Sequence, residues 1–440
     1  MTDAFISRLD NREARIAVIG LGYVGLPIVL AFHEAGHHVI GFDVDAAKID
    51  AIGAGRSYIS HIANDLIGEL AQSERFTGTT DSAELRAADA IIICVPTPLG
   101  AHRDPDLTYV EDTARMIAKV LKSGQLVSLE STTYPGTCDE VLVPILETSG
   151  LKAGADFDLV YSPEREDPAN PDFDTRSIPK VVGASTPGGL ARASALYAQI
   201  VDRVVEVSDM KTAEAVKITE NVFRAVNIAL VNELKVIYAR MGIDAWEVID
   251  AAKTKPFGFM PFYPGPGLGG HCIPVDPFYL TWRARAFGMH TRFIELSGEI
   301  NRAMPDHVVT EVGLALSKHA GKPYKGARVL VLGAAYKKNV DDLRESPALE
   351  LMEKLEGLGC EVDYADPFIP EIKPTRNHPG LSGRRSVEIA PDYVASRDVV
   401  LLATDHDAFD YDMIASYAPL IVDTRNAFAR RDVSGILLKA

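Results

Sequence analysis

The chain has 440 residues, 47% apolar and 24% charged, enough for two or three hydrophobic cores, and no run reaches the roughly 18 to 20 apolar residues of a membrane span. Its 61 acidic and 45 basic residues give a formal charge of -16, which opposes nonspecific attraction to nucleic acid or anionic lipid, so an anionic ligand needs locally concentrated cations. The opening MTDAFISRLDNREAR has acidic residues and lacks the apolar run of a signal peptide, and Cys94, Cys138, Cys272 and Cys360 show no C-x-x-C spacing, so a cytoplasmic protein with no disulfide framework and no metal site is expected.

Residues 15 to about 205 alternate short β-branched runs (RIAVIG, HVIGFDV, DAIIICV, QLVSLEST, DLVYSPE, KVVGA) with helical segments, the pattern of βαβ units and a parallel, doubly wound sheet. At its start Gly20, Gly22 and Gly25 form G-x-G-x-x-G between a strand and a helix. Gly20 suits the tight turn, Gly22 the approach of a pyrophosphate, and Gly25 close helix packing. The helix N-terminus adds unpaired N–H donors, and Tyr23 and Val24 belong to the same turn. Asp43, at the end of the second strand, can accept from both adenosine ribose hydroxyls and would repel a 2′-phosphate, so the expected cofactor is NAD and not NADP. Lys48 is a candidate for an adenosine-side phosphate, though a solvated lysine fits equally. Thr97, in the Val95–Pro98 loop, is a candidate polar contact at the sheet's carboxyl edge. Three of the cysteines read as packing residues: Cys94 in AIIICVP, Cys138 in a helix and Cys360 in the strand-like GCEVDYAD.

From about Thr212 to Arg240 the chain has no Gly or Pro and carries apolar residues at helical spacing, which predicts a helix of about 43 Å at about 1.5 Å per residue. Its surplus apolar surface predicts a homodimer or higher homo-oligomer. Between about Pro256 and Pro277, PFGFMPFYPGPGLGGHCIPVDP reads as irregular structure, and its aromatic residues predict an ordered, packed loop. From about Tyr324 a strand, turn, helix and strand recur, with Ser346 and Pro347 as N-cap and first-turn residue. The expected fold is therefore α/β: two Rossmann-like doubly wound domains, 1–205 and 319–440, joined by a central helical domain, 206–318, that contains the long helix.

The glycine turn, STTYPGT, YSPERE, the K-x-x-x-N pair on the long helix, GGHCIPVD and AYKKNVDDLRESPA stand in the order found in the UDP-glucose/GDP-mannose dehydrogenase family, which the chain resembles from about residue 15 to 430. YSPEREDPAN and YPGPGLGGHCIPVDPFYLTWRA most resemble its bacterial UDP-N-acetylglucosamine 6-dehydrogenases. The resemblance implies an NAD-dependent four-electron oxidation of a sugar C6 alcohol to a carboxylate. Cys272 would form a thiohemiacetal with the intermediate aldehyde and then a thioester, which water hydrolyses.

It further implies that Lys217 and Asn221 stabilise the alkoxide and oxyanion, that Glu164 activates the hydrolytic water, that Asp276 assists proton removal with Lys217, and that Thr132 orients water or substrate beside the cofactor. Read without it, Lys217 and Asn221 are an exposed helix face. His271 reads as a loop residue. Lys337 is implied at the UDP-sugar and Arg344 at the NAD pyrophosphate. Phe262, Tyr263, Gly269 and Arg425 are implied around the substrate, together with Arg165, which could mark an N-acetyl sugar. A helix end contributes only about 0.3 to 1 kcal/mol to an exposed anion, so fixed cations must hold the diphosphate. The same reaction on UDP-N-acetylmannosamine, UDP-glucose or GDP-mannose shares every catalytic residue and stays open. A non-enzymatic NAD-binding scaffold would have no need of Cys272, Lys217, Asn221 and Glu164 together.

Overall fold

The computed structural model describes residues 3–59, 62–100, 104–165, 176–270, 272–375 and 377–440, and of Cys272 the backbone only. His271 lies outside the described residues. The chain divides into two compact units, Met1–Glu220 with Phe278–His290, and Asn221–Pro277 with Thr291–Ala440.

The first unit is built on eight strands: β1 (Arg15–Ile19), β2 (His38–Phe42), β3 (Phe76–Thr79), β4 (Ala90–Ile93), β5 (Leu126–Leu129), β6 (Asp158–Tyr161), β7 (Lys180–Ala184) and β8 (Val204–Glu206). Their order, β3-β2-β1-β4-β5-β6-β7-β8, begins with the arrangement of dinucleotide-binding sheets. Central strands such as β4 and β5 are buried throughout, so they read as unbroken apolar runs with helices covering both faces. One strand departs from the expected parallel sheet, and two others escape the sequence pattern. β7 runs antiparallel to β6, while β3 (FTGT) is largely polar and β8 (VVE) is only three residues long, so neither announces itself.

The second unit holds a five-stranded parallel sheet of β9 (Arg328–Leu332), β10 (Glu361–Ala365), β11 (Val399–Leu402), β12 (Leu420–Asp423) and β13 (Ile436–Lys439), in the order β10-β9-β11-β12-β13. Helix Arg292–Ala315 buries Val308, Val309 and Val312 in the same core as β9 and β11. Helix Pro347–Gly357 starts as the Ser346–Pro347 pair predicts, with the Ser346 hydroxyl accepting from the Ala348 N–H. At the end of β9, Gly333 adopts φ +83°, where a Cβ would overlap the Thr404 backbone. Asp366, just after β10, accepts from the amides of Ala334 and Ala335.

The long helix runs Met210–Met241, slightly beyond its predicted bounds. The expected irregular stretch is shorter than its composition suggests, because a helix begins at Cys272 and continues to Arg285. Pro274 falls in the first turn, where no N–H is required, and only Pro277 removes an internal bond. The loop is also packed in its second half alone. Pro264, Gly265, Pro266 and Gly270 are buried, whereas Phe257 is 71% and Met260 63% exposed. Of the cysteines read as packing residues, Cys138 and Cys360 are buried and Cys94 is only partly so. No helix among the described residues is long and apolar enough to cross a membrane.

In the first unit the long helix is tied to the STTYPGT turn by buried Glu214, which accepts from the amides of Gly136 and Cys138. Burial raises its pKa from 4.5 to about 7. A carboxyl with a raised folded pKa stabilises most below its unfolded pKa and loses that stabilisation as pH climbs to the folded value. Wild-type protein should lose on the order of 3 kcal/mol relative to E214Q between about pH 4.5 and 7. Parallel melting-temperature profiles of the two proteins would contradict this.

Candidate active site

In the first unit, Gly20 takes φ +89° after β1, and a Cβ there would press into the Cys94 carbonyl, so the turn requires glycine. A Cβ on Gly25 would overlap the Gly20 carbonyl oxygen, which explains the close start of helix Gly25–Glu34. At Gly22 the Cβ direction is open. Val24 at the N-cap supplies no side-chain acceptor, and Tyr23 precedes it in the turn. Asp43, 4% exposed, follows β2 and accepts from the Leu21 amide at 2.8 Å and the Asp45 amide at 2.9 Å. Lys48 donates to the same carboxylate at 2.8 Å, so here it is an Asp43 partner.

Thr97 is buried, and its carbonyl accepts from Tyr279 at 3.0 Å. Thr132 is half-buried beside Ser131, whose hydroxyl donates to the Val95 carbonyl. After β5 and β6 respectively, the Thr133 and Ser162 hydroxyls are buried without a hydrogen-bond partner among the described residues. Buried hydroxyls seldom go unpaired. An open glycine turn, a helix start with no capping side chain and a carboxylate after β2 fit a dinucleotide: Gly20, Gly22 and Gly25 would admit the pyrophosphate and Asp43 the ribose.

The same unit holds a chain of buried charges. Glu130, after β5, is paired with Lys180 at the start of β7 and accepts from Tyr197 at 2.6 Å. Lys180 lies 3.6 Å from Glu164, which follows β6. Burial disfavours its ammonium, but Glu130 and Glu164 outweigh that and hold its pKa above the usual lysine range. The Glu164 backbone carbonyl accepts from Lys217 of the long helix, and Arg165 is paired with Glu220 at 2.6 Å.

In the second unit, Asn221 donates to Asp276 at 2.6 Å. Lys217, Asn221 and Asp276 are 7%, 5% and 1% exposed, so the solvated helix face that the bare sequence suggests is not what forms. The Cys272 backbone opens the helix that carries Asp276. Ahead of it, Gly269 and Gly270 lie against Tyr336, and the Gly270 amide donates to the Arg344 carbonyl at 3.0 Å. A Cβ on Gly269 would crowd Tyr336 at 2.6 Å. Lys337 is half-buried beside Tyr336. The Arg344 side chain forks onto Asp342, with contacts of 2.6 to 3.0 Å. Phe262 packs edge-on to Phe223 at 5.7 Å, while Tyr263 is 42% exposed and its hydroxyl donates to Asp250 at 2.6 Å. Arg425, after β12, donates to the Ala403 carbonyl and faces Gly265.

A dinucleotide-type sheet with its open glycine turn and Asp43, a second parallel α/β sheet and a long helix with buried Lys and Asn fit a dinucleotide-dependent oxidoreductase. Family models match the chain three times in succession: the NAD binding domain of the UDP-glucose/GDP-mannose dehydrogenase family over residues 14–201, its central domain over 211–303 and its UDP binding domain over 330–430. The chain belongs to that family. It is 39% identical over 360 residues to UDP-N-acetyl-D-glucosamine 6-dehydrogenase of Pseudomonas aeruginosa, covering 81% of this chain and 84% of the relative. Identity is 37% to UDP-N-acetyl-D-mannosamine dehydrogenase of Salmonella typhi, covering 90% and 94%. The solved UDP-D-ManNAc dehydrogenase of Pyrococcus horikoshii superimposes with a TM-score of 0.86 at 32% identity, over 97% of this chain and 98% of that one.

Glu130, Lys180 and Lys235 escape the sequence reading. A lysine leading into KVVGA or set within NELKVIYAR looks like an ordinary solvated residue, and nothing local signals its burial. Breaking a buried pair leaves an uncompensated charge, so K180M should cost about 3 to 5 kcal/mol while E130Q/K180M together should cost less than the two singles summed. Chemical unfolding of the four proteins checks this, and strict additivity would contradict the pairing.

Proposed function

We propose that the protein oxidises the C6 hydroxymethyl of UDP-N-acetylglucosamine to the carboxylate, giving UDP-N-acetylglucosaminuronate, with Cys272 as covalent nucleophile. The observation that carries this reading is the buried hydrogen bond from Asn221 of the long helix to Asp276 of the helix that Cys272 opens, with Lys217 buried one turn before Asn221. Bound NAD supplies the hydride acceptor, two equivalents per sugar. Lys217 and Asn221 provide an ammonium and an amide donor for the alkoxide and the tetrahedral oxyanion. Asp276, acceptor for Asn221, assists proton removal at Lys217.

The Cys272 thiolate adds to the aldehyde carbon, and loss of hydride from that adduct leaves a thioester. Glu164 takes a proton from water as its oxygen attacks the thioester carbon, and the C–S bond breaks to return the thiolate. Thr132 orients that water. Gly20, Gly22, Tyr23, Val24, Gly25, Asp43, Thr97 and Arg344 serve the cofactor. Lys48 serves it by holding Asp43. Phe262, Gly269, Lys337 and Arg425 serve the UDP-sugar, with Arg165 and Tyr263 acting through their protein partners Glu220 and Asp250.

UDP-N-acetylmannosamine is the second reading, favoured by the 37% identity over 90% of the chain to a dehydrogenase named for that sugar. Assay with a panel of nucleotide sugars decides between the epimers. Two NADH per sugar consumed is the expected stoichiometry, and one NADH with free aldehyde would overturn the thioester route. C272A should form no carboxylate. E164Q should accumulate an acyl adduct visible by intact mass, and a slow variant without the adduct would remove Glu164 from hydrolysis.

The active species is proposed to be a homodimer. Phe223, Leu230, Ile237 and Met241 are 46 to 64% exposed on one side of the long helix, and soluble monomers seldom leave such a stripe in water. Sedimentation should show a dimer that L230E/I237E converts to monomer. A wild-type monomer at micromolar concentration would exclude it.

A further inference from the structure

Lys235 lies on the long helix and is 3% exposed. Its only hydrogen bond among the described residues is a long one, 3.3 Å, to the Gly265 carbonyl of the PGPG loop, and it is in ion-pair contact with no carboxylate there. The charge that acts on it most strongly, Arg425, is of the same sign, ahead of the opposing Glu311. Arg425 lies on the other side of Gly265, close enough that a Cβ on that glycine would sit 2.8 Å from its Nη1, and its guanidinium has a backbone carbonyl for a partner. Lys235, held out of water with one neutral oxygen beside a half-buried guanidinium whose charge Asp405 and Asp423 only partly offset, is unfavourable unless something anionic completes the site.

The surroundings are built and not adventitious. Asn232, one turn before Lys235, accepts from the Gly265 amide at 3.0 Å and donates to Asn301 at 3.0 Å, and Asn301 in turn donates to the Ala225 carbonyl. These bonds fix the loop so that the Gly265 carbonyl, Lys235 and Arg425 converge.

We propose that Lys235 is a binding residue for the diphosphate of the nucleotide sugar, its ammonium completing with Arg425 a buried dianion subsite at Gly265. This rests on the reading of the substrate as a nucleotide sugar and adds to it a lysine that no motif marks. The electrostatics agree. Burial, then Arg425, lowers the Lys235 pKa to about 8, while Glu311 opposes the shift. His307, whose pKa burial lowers to about 4, also feels Lys235 and Arg240, and stays neutral across the working range. An arriving dianion would raise the Lys235 pKa, so affinity should fall as pH rises through about 8.

Calorimetric titration with UDP-N-acetylglucosamine, UDP and uridine, on wild type, K235M and K235Q, tests the proposal. Both variants should bind the two diphosphates at least about tenfold more weakly, with uridine binding and NAD binding unchanged. Without ligand, K235M should melt at or above the wild-type temperature, since an unpaired buried charge has been removed. In the wild type alone, diphosphate affinity should decline between pH 7 and 9 and uridine affinity should not. Undiminished diphosphate binding by both variants, equal losses for UDP and uridine, or a pH-independent wild type would each overturn the subsite. A wild type that binds none of the three overturns the nucleotide-sugar reading as well, whereas wild-type binding matched by the variants overturns only the role of Lys235.

Discussion

The constraint on which the structure depends is that the long helix turns a polar face inward. Glu214, Lys217, Asn221, Asn232 and Lys235 follow one another at intervals of three, four, eleven and three, which keeps them on one helix face, and all are buried. Small apolar residues such as Ala213, Ala225 and Ala229 are buried with them. Each buried polar group must find a partner or forfeit its hydration, so the helix binds the chain wherever it can. In the first unit Glu214 holds the STTYPGT turn and Lys217 holds the carbonyl of Glu164. In the second unit Asn221 holds Asp276 and Asn232 holds Gly265 of the PGPG loop. Within each unit, segments far apart in sequence are thereby anchored to the same stretch of helix, whose own backbone hydrogen bonds keep those anchor points in register.

The inward polar face has an outward counterpart. Phe223, Leu230 and Ile237 stand at steps of seven on the side left in water. The amphipathicity is therefore inverted relative to that of an ordinary surface helix, where the apolar stripe faces the core. The period was readable in the sequence because period is a property of spacing. The direction was not, because polar residues are ordinarily assigned to solvent unless their partners are known. Lys217 shows the same limit at one position. Only the family pattern placed it in the chemistry, and the contact that buries it comes from a carbonyl 53 residues away.

Elsewhere legibility followed how local the determining interaction is. The Gly20 turn, the Asp43 carboxylate and the Ser346–Pro347 cap depend on neighbours within a few residues or on one adjacent strand, and they could be read directly. The helix beginning at Cys272 was hidden by glycine and proline, although a proline in a first turn costs a helix little. Exposure of Phe257 and Met260 was equally hidden, since aromatic content says that a loop can pack and not what it packs on. The antiparallel β7 has no local mark at all, because strand direction follows from how a connection returns to the sheet. Lys180 belongs here too: its two carboxylate neighbours come from the segments after β5 and after β6.

These observations together bear on how a chain of formal charge -16 can recognise an anion. Surface lysines would attract phosphates of every kind and be screened within about 10 Å at ordinary ionic strength. Here the relevant cations are withdrawn from the surface. Lys217 is buried against a protein carbonyl, and Lys235 is buried near Arg425. Desolvation is costly, but it strengthens each remaining interaction and removes the reorganisation that a mobile surface charge would need on binding. An anion that lacks the shape to reach such donors gains nothing from them and meets a repulsive exterior. On the proposed reading, selectivity for a nucleotide sugar comes from fixed interior charge, and the long helix is the element that carries Lys217 and Lys235.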